Sequence, residues 1–133
     1  MQYRIVRTAE DFASANACID SSEYYSPIDL ATIGGLALGA FDEDGIACGV
    51  VWVAISGRLA ILDYLAVRKG YSGLGVRLLT RLRAALVKIG IKQVRYTVHG
   101  RNVEAMRISE VLGGLNDFPY LVGCVNLEAE NGN

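Results

Sequence analysis

The chain has 133 residues, of which 52% are hydrophobic and 20% charged, and its formal net charge at pH 7 is −1. This length and composition predict one domain, residues 1–133, that buries roughly two-thirds of its unfolded surface. Three scattered cysteines exclude a disulfide framework, no Cys-x-x-Cys spacing suggests zinc, and every apolar run is shorter than the ~20 residues of a membrane helix. We therefore expect a soluble, cytoplasmic protein with no metal and no membrane partner.

The charges are unevenly distributed along the chain. Residues 64–103 contain nine basic residues and no acidic one, whereas residues 1–63 contain three basic and nine acidic residues. Lysines and arginines can cluster on a surface without a function. A stretch of this length without a carboxylate nevertheless favours contact with a polyanion.

The first third of the chain predicts a strand, a helix and a less regular segment. Polar and apolar residues alternate over Tyr3–Val6, which indicates a strand. Thr8, followed by acidic residues, is typical of a helix N-cap, and the helix is expected to run to about residue 19. The segment Ser21–Ile33 predicts a short helix and a loop, in which Tyr24 and Tyr25 are exposed or line a cleft.

Two tight turns predict three consecutive antiparallel strands. The sequence "DEDG" at Asp42–Gly45 separates an apolar strand at Gly35–Phe41 from a second at Ile46–Ile55. The turn Ser56–Arg58 then leads into a third strand at Leu59–Val67.

After Val67 the hydrophobic period changes to that of a helix. Gly75–Ile89 predicts an amphipathic helix, residues 94–98 alternate as a strand, Asn102 caps a further helix, and Leu121–Leu127 predicts a last strand. The passage strand, helix, strand implies a parallel pair. The fold class is therefore α/β (α+β): a mixed, mostly antiparallel central sheet with one parallel strand pair, flanked by helices.

The stretch "AVRKGYSGLGVRLL", residues 66–79, precedes the basic helix with three glycines, Gly70, Gly73 and Gly75. Neither a P-loop nor a Rossmann fingerprint fits, because Val76-Arg77 and Leu78 stand where those motifs need Lys-Ser/Thr and glycine. A helix start has unpaired N–H groups and a partial positive charge, and here no acidic residue complements it. A plain turn with solvated arginines is the alternative, but together these features favour an anion site.

Two segments together resemble the GNAT superfamily of N-acetyltransferases. "GLGVRLLTRL", after a strand ending in "DYLAV", resembles the family's acetyl-CoA-binding motif, Q/R-x-x-G-x-G/A. "NVEAMRISEVLGG", residues 102–114, resembles its second motif, N-x-x-A-x-x-x-Y-x-x-x-G-F. The order of elements also agrees, and the resemblance extends over about residues 35–127.

The resemblance implies a GNAT-like fold and a binding site for acetyl-CoA. Backbone N–H groups of Gly70–Val76 would hold the pyrophosphate, and Asn102 would contact the pantetheine arm. Amides near Ala66 and Val67 would polarise the thioester carbonyl and stabilise the oxyanion as an amine attacks. The implied cofactor-binding residues are Leu65, Ala66, Val67, Arg68, Lys69, Gly70, Tyr71, Ser72, Gly73, Leu74, Gly75, Val76 and Asn102.

The chain departs from the family pattern at two positions. Gly70 stands where the family has Gln or Arg, in a turn about two residues shorter than usual, and Arg68 or Lys69 is expected to supply the charge. Ser109 stands at the catalytic position where the family has the tyrosine that protonates the departing thiolate. A thiolate is a good leaving group, so the loss of that tyrosine need not abolish turnover.

Asp63 is the leading candidate for the catalytic base. The strand pattern predicts that it shares a face with Ile61, Leu65 and Val67, an apolar setting that would raise its pKa. Its position also matches where many members of the resembled family have an acid. The alternative is an acid that points to solvent or accepts structural hydrogen bonds.

The remaining candidates are weaker. His99 is a possible second base, although a lone histidine at a strand end is more often a surface residue. Tyr71, Tyr96 and Tyr120 are possible replacements for the missing acid, although most such tyrosines only pack.

Three functions follow from these patterns. The first is an acetyl-CoA-dependent N-acetyltransferase that acts on a small-molecule or peptide amine by direct attack, and the second is a CoA-binding module with weak or no catalysis. The third, a nucleic-acid binder, is disfavoured by the pI of 5.8 and by the lack of interleaved aromatic residues. We therefore expect no nucleic-acid partner, and the oligomeric state stays open, with a homodimer as one option.

Overall fold

The computed structural model describes residues 1–22, 25–99 and 120–126, with residues 97–99 and 120–126 described by their backbone. Within these residues a mixed sheet of six strands is accompanied by two long helices and one short helix. In chain order the elements are β1 (Gln2–Ile5), α1 (Ala9–Asp20), α2 (Leu30–Ile33), β2 (Leu36–Phe41), β3 (Ala47–Ser56), β4 (Leu59–Val67), α3 (Leu74–Lys88), β5 (Gln93–His99) and β6 (Tyr120–Asn126).

The strands lie side by side in the order of the sequence. Every neighbouring pair is antiparallel except β4 and β5, which are parallel. The reason is the connection: tight turns return the chain antiparallel, whereas a helix is needed to bring it back in the same direction. The predicted fold class, a mostly antiparallel sheet with one parallel pair, is confirmed.

Local hydrogen bonds explain why two of the predicted boundaries are correct. The Thr8 hydroxyl accepts a hydrogen bond from the Asp11 N–H at 3.1 Å, so it caps α1 as the sequence predicts. In the β2–β3 turn, Asp42 Oδ1 accepts hydrogen bonds from the N–H groups of Asp44 and Ile46, both at 2.9 Å. This side chain stabilises the hairpin by binding its backbone.

The two faces of the sheet are covered by different helices, which gives two layers of buried side chains. We call the layer under α3 the α3-side core and the layer under α1 the α1-side core. The α3-side core includes Ala60, Leu62, Leu65, Leu78, Leu79, Leu82, Val94 and Tyr96. The α1-side core includes Ala15, Cys18, Ile19, Leu30, Phe41, Val50, Trp52 and Ala66.

The helix predicted after Asn102 lies outside the described residues, and so does Tyr24. No helix of the described residues is long and apolar enough to cross a membrane. The segment predicted as a short helix and loop contains α2, whose N-cap Asp29 accepts the Ala31 N–H.

An ion pair joins β1 to α1. Arg4 Nε donates to Asp11 Oδ2 and Arg4 Nη2 donates to Asp11 Oδ1, both at 2.8 Å, while the guanidinium carbon lies 3.8 Å from the centre of the Phe41 ring. Asp11 is 8% exposed. The hydrogen bond from Arg4 lowers the pKa of Asp11 below its usual value.

We expect Asp11→Asn to reduce the free energy of unfolding at neutral pH and to flatten its dependence on pH. Because the pKa of Asp11 is lower in the folded chain than its unfolded value of about 3.9, its contribution is complete above about pH 5 and is lost as the pH falls through the folded pKa. Urea unfolding of wild type and variant between about pH 3 and pH 7 measures this difference.

Glu10→Gln is the matched control, since Glu10 is an exposed acid in the same helical turn. It should change the free energy of unfolding by less than about 0.5 kcal/mol. If Asp11→Asn and wild type differed by the same amount at all these pH values, the ionised pair would not be what stabilises the contact.

Candidate functional site

β4 and β5 are paired over only part of their length. Their parallel register runs from Leu59 opposite Gln93 to Leu62 opposite Tyr96. Beyond this point β4 continues to Val67 and β5 continues to His99 without further pairing. The edge of β4 that faces β5 is therefore not covered by β5 over residues 63–67.

A β-bulge lies where the two strands separate. Trp52 on β3 is opposite Tyr64, but the next residue of β3, Val53, is opposite Leu62, so Asp63 is an extra residue without a partner on β3. A bulge increases the local twist and re-aims the residues that follow. It therefore provides a local cause for β4 to bend away from β5.

The prediction that Asp63 shares a face with Ile61, Leu65 and Val67 is wrong, and the bulge is the reason. Before the bulge Ala60 and Leu62 belong to the α3-side core, and after it Leu65 belongs to that core and Val67 packs against it. The alternation thus shifts by one residue at Asp63, and Ile61 and Leu65 do not share a face.

Asp63 itself is exposed, not surrounded by an apolar face. Partial desolvation still raises the pKa of its carboxyl group. Among the described residues no hydrogen bond or ion pair to this carboxylate is found, so the proposed structural role as a hydrogen-bond acceptor has no partner there.

The uncovered edge of β4 is contacted by a tyrosine from the segment between α1 and α2. The Tyr25 hydroxyl accepts a hydrogen bond from the Leu65 N–H at 3.1 Å and donates one to the Leu65 carbonyl at 3.2 Å. The Tyr25 side chain is half-buried against the α1-side core. The sequence predicted that Tyr25 is exposed or lines a cleft, but it gave no indication of this partner.

Three aromatic rings form a row on the α1 side of the same strand. The rings of Tyr25 and Tyr64 are 5.2 Å apart between centroids, and those of Tyr64 and Trp52 are 5.6 Å apart. Trp52 Nε1 donates to the Gly34 carbonyl at 2.7 Å. Sequence reasoning missed Trp52 and Tyr64, although Trp52 is the only tryptophan of the chain.

The glycine turn leads from the end of β4 into α3. Gly73 is the N-cap residue of α3, has φ = 83° and makes no side-chain cap, and the first turn contains no acidic residue. Gly70 has φ = 91°, a conformation that L side chains rarely adopt. A Cβ atom added at Gly70 or Gly73 would meet nothing within 4 Å, so the described residues leave this side of the turn unfilled.

Two backbone donors at the start of α3 have no acceptor among the described residues. Leu74 N–H donates to the Tyr71 carbonyl and Arg77 N–H donates to the Gly73 carbonyl, but the N–H groups of Gly75 and Val76 between them are not bonded within that part of the chain. Such donors, added to the positive end of the helix dipole, favour an anion. The geometry therefore fits a phosphate group at this helix start.

The two cations expected to replace the missing Gln or Arg differ in their surroundings. Arg68 is half-buried, and its Nε donates to the Ala47 carbonyl at 2.9 Å, so part of the guanidinium holds the turn to β3. Lys69 is exposed beside Gly70. Lys69 is thus the cation with its charge available to solvent or to a ligand.

The other candidate residues fall into three groups. Tyr96 is 1% exposed within the α3-side core, which disfavours it as a proton donor to a substrate. A hydrogen bond with Cys48 raises the pKa of Tyr71. His99 and Tyr120 end β5 and begin β6, whereas Asn102 and Ser109 lie outside the described residues.

Two further kinds of chemistry are relevant to the described residues: a metal site and a nucleophilic Cys18. No group of three potential metal-binding side chains occurs among those residues. Desolvation by burial raises the pKa of Cys18 to about 11, so its thiol keeps its proton at neutral pH.

Solved structures of known proteins share the fold of this protein over nearly the whole chain. The PaiA N-acetyltransferase of Thermoplasma acidophilum, in complex with coenzyme A, matches with a TM-score of 0.72 and 20% identity, over 95% of this chain and 99% of its own. A GNAT family N-acetyltransferase (YhbS) of Escherichia coli, in complex with CoA, matches with a TM-score of 0.74 and 21% identity, over 98% and 84%. The ribosomal-protein-S18-alanine N-acetyltransferase of Escherichia coli matches with a TM-score of 0.73 and 16% identity, over 95% and 94%.

No family model and no curated protein matches the sequence. The structural likeness alone is sufficient to define the architecture: this chain has the fold of the GNAT superfamily of N-acetyltransferases. The resemblance recognised from the two sequence motifs is confirmed at the level of the fold.

We expect Asp63→Asn to leave the melting temperature at pH 7 unchanged or slightly higher. Because the pKa of Asp63 is raised in the folded chain, its ionised form opposes folding above that pKa. This effect fades as the pH falls below the folded pKa and is nearly gone at about pH 3, where both states are protonated. Thermal unfolding at about pH 3 and at pH 7 measures the difference.

Glu43→Gln, which removes an exposed acid from the β2–β3 turn, controls for the change in net charge. A melting temperature several degrees lower for Asp63→Asn alone would instead mean that the carboxylate accepts hydrogen bonds that stabilise the fold.

Proposed function

We propose that this protein is an acetyl-CoA-dependent N-acetyltransferase that acts on a primary amine. The observation that carries the proposal is the uncapped, acid-free start of α3 next to the uncovered edge of β4. Both features suit acetyl-CoA. The helix start suits its pyrophosphate, which is an anion, and the strand edge suits its pantetheine arm, whose amides and thioester bind backbone groups. Two solved structures with this fold have coenzyme A bound.

The chain's own backbone would make most of the contacts to the substrate. The N–H groups of Gly70–Val76 would hold the phosphates, while Arg68 fixes the turn and Lys69 adds charge. The edge of β4 at Leu65 and Val67 would bind the pantetheine arm, and an N–H group of this edge would stabilise negative charge on the thioester oxygen. Bound acetyl-CoA supplies an activated acyl group on a thiolate leaving group.

The acyl transfer would be direct, in a ternary complex. Cys18 is an unsuitable nucleophile because its thiol keeps its proton, so a covalent acyl-enzyme is not part of the proposal. Asp63 would accept the proton of the incoming ammonium group, directly or through water. Its raised pKa and its position at the bulge, where β4 and β5 separate, support this role.

The acceptor would enter from the side of the segment between α1 and α2. A small-molecule or peptide amine is the proposed acceptor class, and the cytoplasm is the proposed compartment. A CoA-binding module with weak or no catalysis is the second candidate, favoured by Ser109 at the position of the missing tyrosine. Thiol release in the presence of an amine panel separates the two.

Charge reversal at the start of α3 should affect folding and binding in opposite directions. We expect Arg77→Glu to stabilise the ligand-free fold by about 0.3–1 kcal/mol, because an acid complements the helix dipole at its start. The same change should weaken CoA binding about tenfold or more, because it places a negative charge near the phosphates. Urea unfolding and calorimetric titration with CoA measure the two effects.

Lys88→Glu in the last turn of the same helix is the matched control, because Lys88 is also exposed and the substitution makes the same change of charge. It should destabilise the fold by a similar amount and leave CoA affinity within about twofold. Equal losses of CoA affinity in both variants would indicate a general charge effect and would argue against a phosphate site at the start of α3.

We expect Asp63→Asn to reduce kcat by about a hundredfold or more at neutral pH while CoA affinity changes little. The reason is that the amide cannot accept the proton of the ammonium group, although it fills the same space. Steady-state rates across a pH series and CoA titration of both proteins measure this. An unchanged rate at every pH would remove Asp63 from the mechanism.

A further inference from the structure

The Tyr25 hydroxyl lies at the edge of β4 that β5 leaves uncovered. Along β4 the backbone groups of alternate residues point to opposite edges of the strand. The Arg68 N–H donates to the Cys48 carbonyl on β3, so residues 66 and 68 face β3, and Leu65 and Val67 face the other edge. Tyr25 therefore binds the N–H and the carbonyl of Leu65 on the side where a paired β5 would have been.

The ring of Tyr25 is held in place independently of these hydrogen bonds. It packs at a tilt of 59° against Tyr64, which packs edge-on against Trp52, and Trp52 is tied to the Gly34 carbonyl. The hydroxyl is thus positioned by a packed aromatic row and by two backbone contacts. Tyr25 thus places a phenol directly on this edge of β4.

We propose that Tyr25 is the proton donor to the departing CoA sulfur, a proposal that rests on the proposed function. In the ligand-free chain the Leu65 N–H donates its hydrogen bond to the Tyr25 hydroxyl. The carbonyl of a bound thioester can accept the same hydrogen bond in place of the hydroxyl. A thioester at that N–H takes over as its acceptor and brings the sulfur, one bond from the acyl carbon, next to the phenol. The phenolic proton is then close to the atom that needs it.

In the acyl-transfer step a carbon–nitrogen bond replaces the carbon–sulfur bond of the thioester. The amine nitrogen forms a bond to the acyl carbon, the carbon–sulfur bond breaks, and its electron pair leaves with the sulfur. The Tyr25 O–H proton passes to that sulfur, and the phenolate takes up the proton that the amine nitrogen loses, through Asp63 or water. The products are an amide and the free thiol of CoA.

The chemistry of the alternatives favours a phenol from this segment. Ser109 stands at the sequence position of the usual acid, but an aliphatic hydroxyl is a much weaker acid than a phenol, whose usual pKa is about 10. Tyr96 is buried in the α3-side core, and Tyr71 packs against the same core from the glycine turn. Tyr25 combines the suitable group with contact to the uncovered strand edge.

The first experiment compares Tyr25→Phe with wild type. We expect kcat for acetyl transfer to fall about a hundredfold, with KM for acetyl-CoA and the Kd of CoA within about threefold of wild type. In the ligand-free variant the Leu65 amide should exchange hydrogen faster, because its acceptor is gone. Tyr3→Phe is the matched control, since Tyr3 lies on β1 with its ring under Arg81, 4.0 Å from the guanidinium carbon, and it should leave all these quantities unchanged.

A second experiment does not depend on the folding of the phenylalanine variant. A fluorinated tyrosine at position 25 keeps the hydroxyl but makes it more acidic, so the alkaline decline of kcat should move to lower pH. A structural tyrosine would not shift this limb. An unshifted limb overturns the proposal.

Other results distinguish a failure of the role proposed for Tyr25 from a failure of the acetyltransferase function. If Tyr25→Phe turns over as fast as wild type, or binds acetyl-CoA more tightly and turns over faster, the hydroxyl only fills the strand edge and the proposal is wrong while the proposed function stands. If wild type binds CoA and releases no thiol with any amine, or binds no CoA, the acetyltransferase function itself fails and the role of Tyr25 falls with it.

Discussion

The separation of β4 from β5 is the constraint on which the rest of the site depends. Parallel pairing ends at Leu62 and Tyr96, and the residue that follows on β4, Asp63, is the bulge. One inserted residue therefore does three things: it bends the strand, shifts which side chains enter the core, and exposes a candidate base. The bulge therefore marks the point beyond which the edge of β4 has no partner on β5.

An open strand edge inside a protein cannot be left without hydrogen bonds, because unpaired buried backbone groups are costly. In this chain Tyr25 meets that requirement at Leu65, and the hydrogen bonds it makes are those a substrate amide or carbonyl would make. At the start of α3 the described residues do not meet this requirement, because the N–H groups of Gly75 and Val76 have no acceptor among them. A site built from backbone donors depends on the path of the backbone and less on which side chains are present. This is consistent with a shared architecture at 16–21% identity.

Local patterns were sufficient to predict most of the fold. The Thr8 cap, the Asp42 turn and the change to a helical period after Val67 act within a few residues, and each is recognisable where it occurs. The face of Asp63 could not be predicted in this way, because a bulge is fixed by the register against β3 and not by the residues of β4. The contact between Tyr25 and Leu65 joins positions 40 residues apart, so no short-range pattern indicates it.

The basic residues of the acid-free stretch, residues 64–103, do not all serve one purpose. Arg68 donates to a β3 carbonyl and Arg81 packs over the Tyr3 ring, so two of its cations contribute to the structure of the ligand-free chain. What is unusual is therefore not the number of positive charges but the lack of any acid at the start of α3. An acid there would occupy the same N–H groups that a phosphate needs. Its absence keeps the helix start available, and Lys69 and Arg77, both exposed, can attract an anion from a distance without holding it.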